Sequence, residues 1–525
     1  MPADPREWLP GRHLAWSVLE QAGEMDLSAF EAAYRGDGQG GKPYDPAMMC
    51  GLLLYCYCKG LRSSREVEMA TFDDVGARVI CGNLHPDHAT VAHFVRRHER
   101  AICGLLPESV KACAREGLVH LEVVAGDGTK LKASASMAAN VTGEQLEAQI
   151  AELEELIDAQ VRCWVAEHLA LDDGDVTAAA PRRAPGGDGP AGGDGRGGKK
   201  APERAAMLLE RRKAARGQLA ARQAGTEQPK LEARAAECAG RAQRKQAAAD
   251  KALAQAAARQ EAWQRKAAAC PPGVNPPGRQ PGRPDADRDV IRTRAQAAKA
   301  RAQADAAAAL ASGPAPDGAA KVNTTDWASR VMPLKKGGFD QLVNAQALAT
   351  ARSQVILAIM RHDNSTDTGA LHPLLARARA VLDAAGIPGP VGKAVFDAGY
   401  ASDANFTTAA EAELYVALAR ESVQAGRSDG RQPQSALPSW QDMAARLGTP
   451  EGKAVYKKRA ATIEPVFAQL VNRLGRALNY RGDHADAELH LWAASHNLLK
   501  AITARTARTA RESRATRAAA VPAAA

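Results

Sequence analysis

The stretch that decides the fold is LVHLEVVAGDGTKLKAS, residues 118–134. Apolar and polar residues alternate on both sides of Asp127-Gly128, and a period of two is typical of β-strands. The dipeptide Asp-Gly favours tight turns between paired strands. We therefore predict a strand, a turn at Asp127-Gly128 and a second strand, which is the first β structure along the chain.

The region before this stretch, residues 1–115, is predicted to be mostly helical. Asp45-Pro46 can open the helix PAMMCGLLLYCYCKG, and Gly60 can end it. A later helix ends in the basic residues Arg96 and Arg97. Short helices joined by tight turns fit a helix-turn-helix-like DNA-binding domain, and a plain helical scaffold is the alternative.

The region after the first β segment, residues 143–320, is predicted to be an insertion of coiled coil and low-complexity sequence. It begins with apolar residues that recur every three or four positions, as in a coiled coil or a helical hairpin. This seam consists of Leu146, Ile150, Leu153, Ile157, Val161 and Trp164. Residues 172–200 are rich in Gly, Pro and Asp and predict a flexible linker. The Ala/Arg/Gln/Lys-rich remainder favours helix but has too few large apolar residues for a packed core.

Strands and helices alternate again over residues 321–500. Strands are predicted around Leu342–Leu348 and Val355–Met360, followed by the amphipathic helix LHPLLARARAVLDAAG and a buried strand at Lys393–Phe396. This alternation indicates an α/β sheet. A long insertion adds little loop-closure entropy, so one sheet domain can be interrupted by it.

The expected fold class is therefore α+β with several domains. A helical DNA-binding domain (1–115) is followed by an α/β domain whose two parts, 116–142 and 321–500, flank the insertion. The basic residues 501–525 are expected to form a disordered tail.

Composition limits the class of protein. The formal net charge is +9 and the pI is about 9.1, which suits a polyanionic partner. The nine cysteines are scattered without paired spacing, as in a reducing compartment. No secretory signal pattern and no apolar run of ~18 residues occurs. We expect a cytoplasmic protein without a membrane partner.

Three acidic residues occur in local settings that suit chemistry. Asp127 ends the first β segment, Asp397 follows a buried strand, and Glu464 is predicted in the first turn of a helix, where Pro465 is tolerated. Together, three carboxylates can hold two hard divalent cations for phosphoryl transfer. Each also has an ordinary explanation, since Asp-Gly is common in turns and glutamates in first helical turns favour the helix dipole.

The ordered motifs of the chain resemble those of the bacterial insertion-sequence DDE transposases, in the branch with an RNase H-like catalytic domain and a YREK-type signature. The segments that carry the resemblance are YDPAMMCGLLLYCYCKGLRSSREVE, PDHATVAHFVRRH, AGDGTKLKASAS, NTTDWASRVM, VNAQ, FDAGYAS, YKKRAATIEPVFAQL, RALNYRG and LWAASHNLLK. They occur in the order of that family and span most of the chain outside the insertion and the tail.

This resemblance implies which residues carry out catalysis and which bind DNA. Asp127, Asp397 and Glu464 would be the catalytic, metal-binding triad. Tyr456 and Arg459 would be the Y and R of the signature, with Arg459 holding a DNA phosphate.

Two departures from the family pattern stand out. Val471 replaces the basic residue that the family has two helical turns beyond the glutamate, with Arg473 nearby but on another face. The insertion is also unusually long. Asp326, Asn344 and Gln346 are candidates to support the acids, and solvated polar positions are the alternative for them.

Zinc binding is a competing hypothesis for the N-terminal region. Its potential ligands are Cys81, His85, His88, His93 and His98. These spacings match no standard zinc finger, because a second cysteine pair is missing.

The resemblance implies a bacterial, nucleoid-associated enzyme that binds the terminal inverted repeats of its element. It would cut there with two Mg²⁺ ions, for which Mn²⁺ can substitute, and join the freed 3′ hydroxyl to target DNA. Because two ends must meet, a homodimer is expected, to which the coiled-coil seam can contribute unless it folds back on its own chain. The alternatives are a catalytically inactive DNA-binding protein derived from a transposase and a structural coiled-coil protein.

Overall fold

The computed structural model describes residues 4–34, 43–172, 197–222, 228–271, 276, 278–312, 321–334, 337–418 and 437–519. Over these ranges no helix has both the length and the apolar character that crossing a bilayer requires. By its internal contacts the chain divides into two units, one made of residues 1–139 and 325–525 and the other of residues 140–324.

The N-terminal part of the first unit is helical, as predicted. Its helices are α1 (Leu14–Gly23), α2 (Ser28–Glu31), α3 (Pro46–Lys59), α4 (Ser64–Asp73), α5 (Val75–Ile80), α6 (His88–Arg97), α7 (Glu99–Cys103) and α8 (Leu105–Arg115). The predicted limits of α3 are confirmed. The Asp45 side chain accepts a hydrogen bond from the backbone N–H of Ala47 at 2.8 Å, and Gly60 ends the helix with φ +87°.

A mixed sheet follows in the same unit. Its strands are β1 (Val123–Lys132), β4 (Arg330–Pro333), β5 (Phe339–Thr350), β6 (Ile356–His362), β7 (Lys393–Phe396) and β8 (Glu413–Val416); β2 (Asn140–Thr142) and β3 (Lys321–Asn323) pair in the second unit. The spatial order is β6, β5, β1, β7, β8, and β4 pairs with the first residues of β5. Strand β5 is antiparallel to β6 and β1, whereas β1, β7 and β8 are parallel.

The predicted turn at Asp127-Gly128 is wrong. Strand β1 runs straight through this dipeptide and pairs with β5 from Val124 opposite Thr350 to Lys132 opposite Leu342. Nine consecutive residue pairs with a neighbouring strand hold the backbone extended, which overrides the local turn preference of Asp-Gly.

The remaining helices of this unit complete the core around the sheet. They are α13 (Leu371–Ala384), α14 (Asp403–Thr407), α15 (Pro438–Gly448), α16 (Pro450–Leu474) and α17 (His484–Ala519). Asn497 of α17 is fully buried and bonds both backbone groups of Ile356 in β6, at 2.8 and 2.9 Å. Its amide also donates to Ser109 of α8 at 3.2 Å, so α17 joins the N-terminal helices to the sheet.

The start of the helix that carries Glu464 differs from the prediction. Helix α16 begins at Pro450, so Glu464 and Pro465 lie in its interior rather than in its first turn. A proline there removes the bond to the carbonyl four residues earlier. That carbonyl, of Ala461, instead accepts a hydrogen bond from the Gln354 side chain at 3.1 Å.

The C-terminal segment also differs from the expected disordered tail. Helix α17 continues from His484 through Ala519, while residues 520–525 lie outside the described ranges. Arg505 and Arg508 both bond the side chain of Glu116, which is 2% exposed, at 3.0 to 3.1 Å. These ion pairs attach the helix to the end of α8, a long-range contact that local sequence does not reveal.

The second unit consists of paired helices. They are α9 (Gly143–Asp172), α10 (Gly197–Arg222), α11 (Gln228–Ala268) and α12 (Arg288–Ser312). The predicted seam of α9 is buried at Leu146 and Ile150, and α9 packs on α10 of the same chain. The predicted linker falls mostly on residues 173–196, outside the described ranges.

Helices α11 and α12 pack against each other, where we expected helices without a packed core. Their buried residues are small, namely Ala249, Ala256, Val290, Ala297, Ala300 and Ala307. Alanine allows two backbones to approach closely, so a contact forms without large side chains.

The contact between Gln354 and Ala461 can be tested by a double-mutant cycle. We expect Gln354→Ala to lower the free energy of unfolding by about 0.5–1 kcal/mol, because the exposed Ala461 carbonyl loses its protein partner. In a Pro465→Ala background, residue 465 regains its N–H and can satisfy that carbonyl, so the same change should cost less. Denaturant unfolding of the four proteins measures the difference, and equal costs in both backgrounds would contradict this role of Gln354.

Candidate active site

Asp127 and Asp397 lie level with each other on neighbouring parallel strands. The register pairs Val123 with Lys393 and Ala125 with Val395, so Asp127 and Asp397 each lie two residues beyond the last pair. Because side chains alternate along a strand, both acids face the side of the sheet that Val123 and Val395 occupy. These valines pack with Val455 of α16, so α16 covers the face that carries the acids.

Helix α16 brings a guanidinium group between two carboxylates. Arg459, one turn after Val455, donates from Nη1 to Asp127 Oδ2 at 2.9 Å. Its Nη2 lies 3.7 Å from Glu464 Oε1, which is an ion pair rather than a hydrogen bond. The structure thus links two acids of the predicted triad through the predicted signature arginine.

The Asp127 carboxylate is held tightly and largely removed from water. Its side chain is 21% exposed, and Oδ1 accepts from the backbone N–H of Gly128 at 2.8 Å. Burial raises the pKa of Asp127, and the Asp397 carboxylate acts in the same direction; the Gly128 N–H and Arg459 oppose both. Asp397 accepts from the N–H of Gly399 at 2.9 Å, which orients it at the end of β7.

Tyr456 lies beside the guanidinium group of Arg459. Burial raises the pKa of its hydroxyl, with Arg459 acting in the opposite direction. The tyrosine therefore stays protonated at neutral pH and keeps an O–H donor near the acids.

Asp367, which the sequence motifs did not single out, lies near the acids on the other face of β1. Its Oδ1 accepts from the amides of Asn344 at 2.9 Å and Gln346 at 2.6 Å. A Cβ built on Gly399 would lie 3.2 Å from Asp367 Oδ2 and 3.0 Å from Asp397 Oδ1, so these oxygens are at most about 6 Å apart. The side chain belongs to the loop after β6, and only the fold brings it here.

The network around Asp367 includes a buried tyrosine. The Tyr400 hydroxyl, three residues after Asp397, donates to Gln346 Oε1. Burial raises the pKa of Tyr400, followed by the charges of Asp367, Asp127 and Asp397. Two of the three predicted supporting residues, Asn344 and Gln346, thus lie in this network. Asp326 lies elsewhere, where it accepts from the N–H of Gly482 at 2.9 Å.

The acids suit a divalent cation by their donor chemistry. In this conformation the described residues contain no group of three or more acidic, histidine or cysteine side chains arranged to hold a metal ion. Glu464 is 60% exposed and is linked to Asp127 through Arg459. Asp127 and Asp397 offer carboxylate oxygens, the ligands that Mg²⁺ prefers, and a cation would offset the influence of Asp397 on Asp127.

The other predicted DNA-binding residues lie in the last turn of α6 in the N-terminal region. Arg96 and Arg97 are exposed at the end of α6. Arg97 donates to the carbonyl oxygen of Ala33 at 2.6 Å, and its guanidinium lies 4.9 Å from the ring centre of Tyr34. Of this pair, Arg96 therefore has the freer side chain.

Arg473 does not substitute for the missing basic residue at position 471. Its Nε and Nη2 are buried and have no hydrogen-bond partner within the described part of the chain. Burial lowers the pKa of Arg473, and its backbone approaches Gly60 of the N-terminal region. The side chain thus belongs to the interior between helices and is not directed at the acids.

The residues of the zinc hypothesis have other partners. The His85 ring stacks on Phe72 with centres 4.2 Å apart, and His88 Nδ1 lies 2.8 Å from Glu68 Oε2. His98 Nε2 is 3.1 Å from the Tyr34 hydroxyl. These contacts spread the rings over different neighbours.

Two known protein families match separate parts of the chain. A transposase domain (DUF772) matches residues 6–97, and a transposase DDE domain matches residues 431–502, which include Tyr456, Arg459 and Glu464. No curated protein and no solved structure matches the chain. Both matched families are transposase domains, which confirms the resemblance to the DDE transposases of insertion sequences that the motifs carry.

The glycine before Asp127 provides a test of the site's geometry. A Cβ at position 126 would lie 2.2 Å from a ring carbon of Phe396, so we expect Gly126→Ala to displace β1 from β7. Overpacking of this kind costs about 1–3 kcal/mol. Thermal unfolding should show the loss, and DNA cleavage should fall with it.

Gly11→Ala is the matched control, because a Cβ there has no atom within 4 Å. A Gly126→Ala protein as stable and active as that control would contradict the close packing of β1 on Phe396.

Proposed function

We propose that this transposase cleaves and joins DNA with Asp127, Asp397 and Glu464 as its catalytic carboxylates. The observation that carries the proposal is the level placement of Asp127 and Asp397 on parallel strands, with Arg459 connecting Asp127 to Glu464. Two acids far apart in sequence thereby lie level at one end of the sheet, and Arg459 connects the third to Asp127. A turn role for Asp127 or a helix-dipole role for Glu464 would not require these acids to lie near one another.

The strand order supports an RNase H-like catalytic domain. The first strand is central, the second and third are antiparallel neighbours on one side, and the last two are parallel on the other. In this scheme the insertion of residues 140–324 separates the first strand, β1, from the second, β5. Loop-closure entropy tolerates such an interruption.

Mg²⁺ would be held by Asp127 and Asp397, with Glu464 as the third ligand, and would supply activation of the attacking oxygen and stabilisation of the leaving one. The protein's own contribution is positioning. Gly128 and Arg459 fix the two oxygens of Asp127, and Gly399 fixes Asp397. Positioned groups of this kind lower the barrier of a bimolecular step.

Arg459 can bind a DNA phosphate while it remains bonded to Asp127. A guanidinium has five N–H donors, and one of them is used on Asp127. Those that remain can bind a phosphate oxygen next to the scissile bond, because guanidinium and phosphate form paired hydrogen bonds. We assign to Arg459 the role of holding the DNA backbone against the carboxylates, with the Tyr456 hydroxyl beside it.

The DNA would be the terminal inverted repeats of the element and then its target, bound by the helical N-terminal region with Arg96 at its surface. Two ends require two active sites, so we propose a homodimer.

The triad is tested by Asp127→Asn, Asp397→Asn and Glu464→Gln. Each should reduce Mg²⁺-dependent cleavage of a duplex carrying the ends of the encoding element by about a thousandfold or more, since each removes about 4 kcal/mol of transition-state stabilisation. Gel shift with the same duplex should remain near wild type.

The control is Glu411→Gln, which alters an exposed carboxylate outside the site. Full cleavage by any triad variant would refute the assignment. Binding without cleavage by the unaltered protein, in either Mg²⁺ or Mn²⁺, would favour the inactive alternative.

Asp367 is proposed as a positioning residue. We expect Asp367→Asn to lower cleavage about 10- to 100-fold and to raise the Mg²⁺ concentration for half-maximal cleavage, because residues behind metal ligands have effects of this size. Asp363→Asn, in the exposed part of the same loop, is the matched control. A lower melting temperature with an unchanged Mg²⁺ requirement would show that Asp367 is only structural.

A further inference from the structure

The paired helices α11 and α12 carry a concentration of positive charge that the catalytic site does not use. Residues 228–312 contain sixteen lysines and arginines against eight aspartates and glutamates, a net charge of +8. The whole chain carries +9. The net charge of this one segment is therefore almost as large as that of the whole chain.

The neighbouring helix pair shows what charge compensation looks like in the same unit. Helix α9 has eight acidic residues and one arginine, whereas α10 has eight basic residues and two glutamates. The two helices pack together, with ion pairs from Lys213 to Glu154 at 3.0 Å and from Arg216 to Glu147 at 3.4 Å. Their charges nearly cancel. The pair α11–α12 has no acidic helix of that kind.

Three basic side chains of α11 point away from its contact with α12, whereas Lys245 donates to Gln296 of α12 at 3.1 Å. Ala249 and Ala256 mark the buried face. At about 100° per residue, Arg244, Lys251 and Arg265 lie within about 50° of the opposite direction. All three are exposed, and Arg244 and Lys251 form no ion pair within the described part of the chain.

Helix α12 repeats this arrangement. Its buried face contains Val290 and Ala297, and Arg292 and Lys299, seven residues apart, are exposed on the outer side. Arg292 has a local ion pair with Asp289 at 3.0 Å, whereas no ion pair of Lys299 occurs among the described residues.

We propose that the α11–α12 pair is a sequence-independent DNA-binding arm that contacts the phosphate backbone of a duplex. The inference rests on the DNA partner of a transposase and not on the carboxylate chemistry proposed above. Helix α11 is about 60 Å long, enough to follow about 18 base pairs. Rows of exposed lysine and arginine release counterions from DNA without reading its sequence.

A second copy of the same arm is a less suitable partner for this surface than DNA. Two surfaces of charge +8 repel each other. In the described residues of this pair, Ile291 is the one large hydrophobic side chain that is prominently exposed, at 55%. A dimer contact needs a larger apolar patch than a single isoleucine provides.

The test uses the full-length protein and a duplex of about 30 base pairs of unrelated sequence, with fluorescence anisotropy from about 50 to about 200 mM salt. One variant is Arg244→Gln/Lys251→Gln, and a second is Arg292→Gln/Lys299→Gln. Each should weaken binding about five- to tenfold. Arg244→Gln/Lys251→Gln should also reduce the slope of log K against log salt by about 2, and Arg292→Gln/Lys299→Gln by about 1, because Arg292 already has Asp289 as a partner.

The matched control is Lys213→Gln/Arg216→Gln. It removes the same two charges from the same unit, but from side chains that already have acidic partners. Its affinity and salt slope should stay close to wild type. Circular dichroism verifies that each protein keeps its helices.

Two results would overturn the proposal. One is an affinity and salt slope unchanged in both arm variants, or changed equally in the control. The other is unchanged DNA binding together with a different mass in solution by light scattering, which would make the arm a self-association surface. Asp127→Asn in the same assay should bind as wild type, so failure of the catalytic assignment remains distinguishable.

Discussion

The pairing of β1 on both of its edges is the constraint on which the rest of this structure depends. Antiparallel β5 keeps Asp127 in an extended backbone, and parallel β7 ends level with it, so that Asp397 follows at the same height. A shift of one residue in either register would turn Asp127 to the opposite face of the sheet. Glycines at 126 and 128 make this register possible, because a side chain at either position would collide with Phe396 or Gln346.

Helix α16 depends on that sheet and in turn completes the site. Its Val455 packs on the face that carries the acids, and Arg459 follows one turn later with its guanidinium on Asp127. The helix continues past Pro465 because Gln354, from the turn between β5 and β6, takes the carbonyl that the proline leaves free. Packing and a single long-range hydrogen bond therefore maintain a helix that local preferences would interrupt.

The two units serve the proposed chemistry in different ways. The first unit joins its N-terminal helices to the sheet through α17, where Asn497 bonds β6 and α8 at once, so DNA-binding and catalytic parts would share one core. In the second unit, helices α11 and α12 have small buried residues and exposed charge. In the arm proposed above, this exposed charge would contact an extended polyanion.

The sequence alone carried the resemblance to transposases, the helices up to residue 115 and the strand before Asp397, and it named Asn344 and Gln346 as candidates to support the acids. Those predictions rest on periodicity, capping residues and ordered motifs, which are local or are read one block at a time. Only the tertiary structure decided that Asp127-Gly128 continues a strand, that α16 continues through Pro465, that Arg505 and Arg508 anchor a helical C-terminus, and that Asp367 lies near the acids. Each of these depends on a partner distant in the chain: β5, Gln354, Glu116 and Gln346. Local preference differs between conformations by about 1 kcal/mol or less per residue, and such long-range contacts outweigh it.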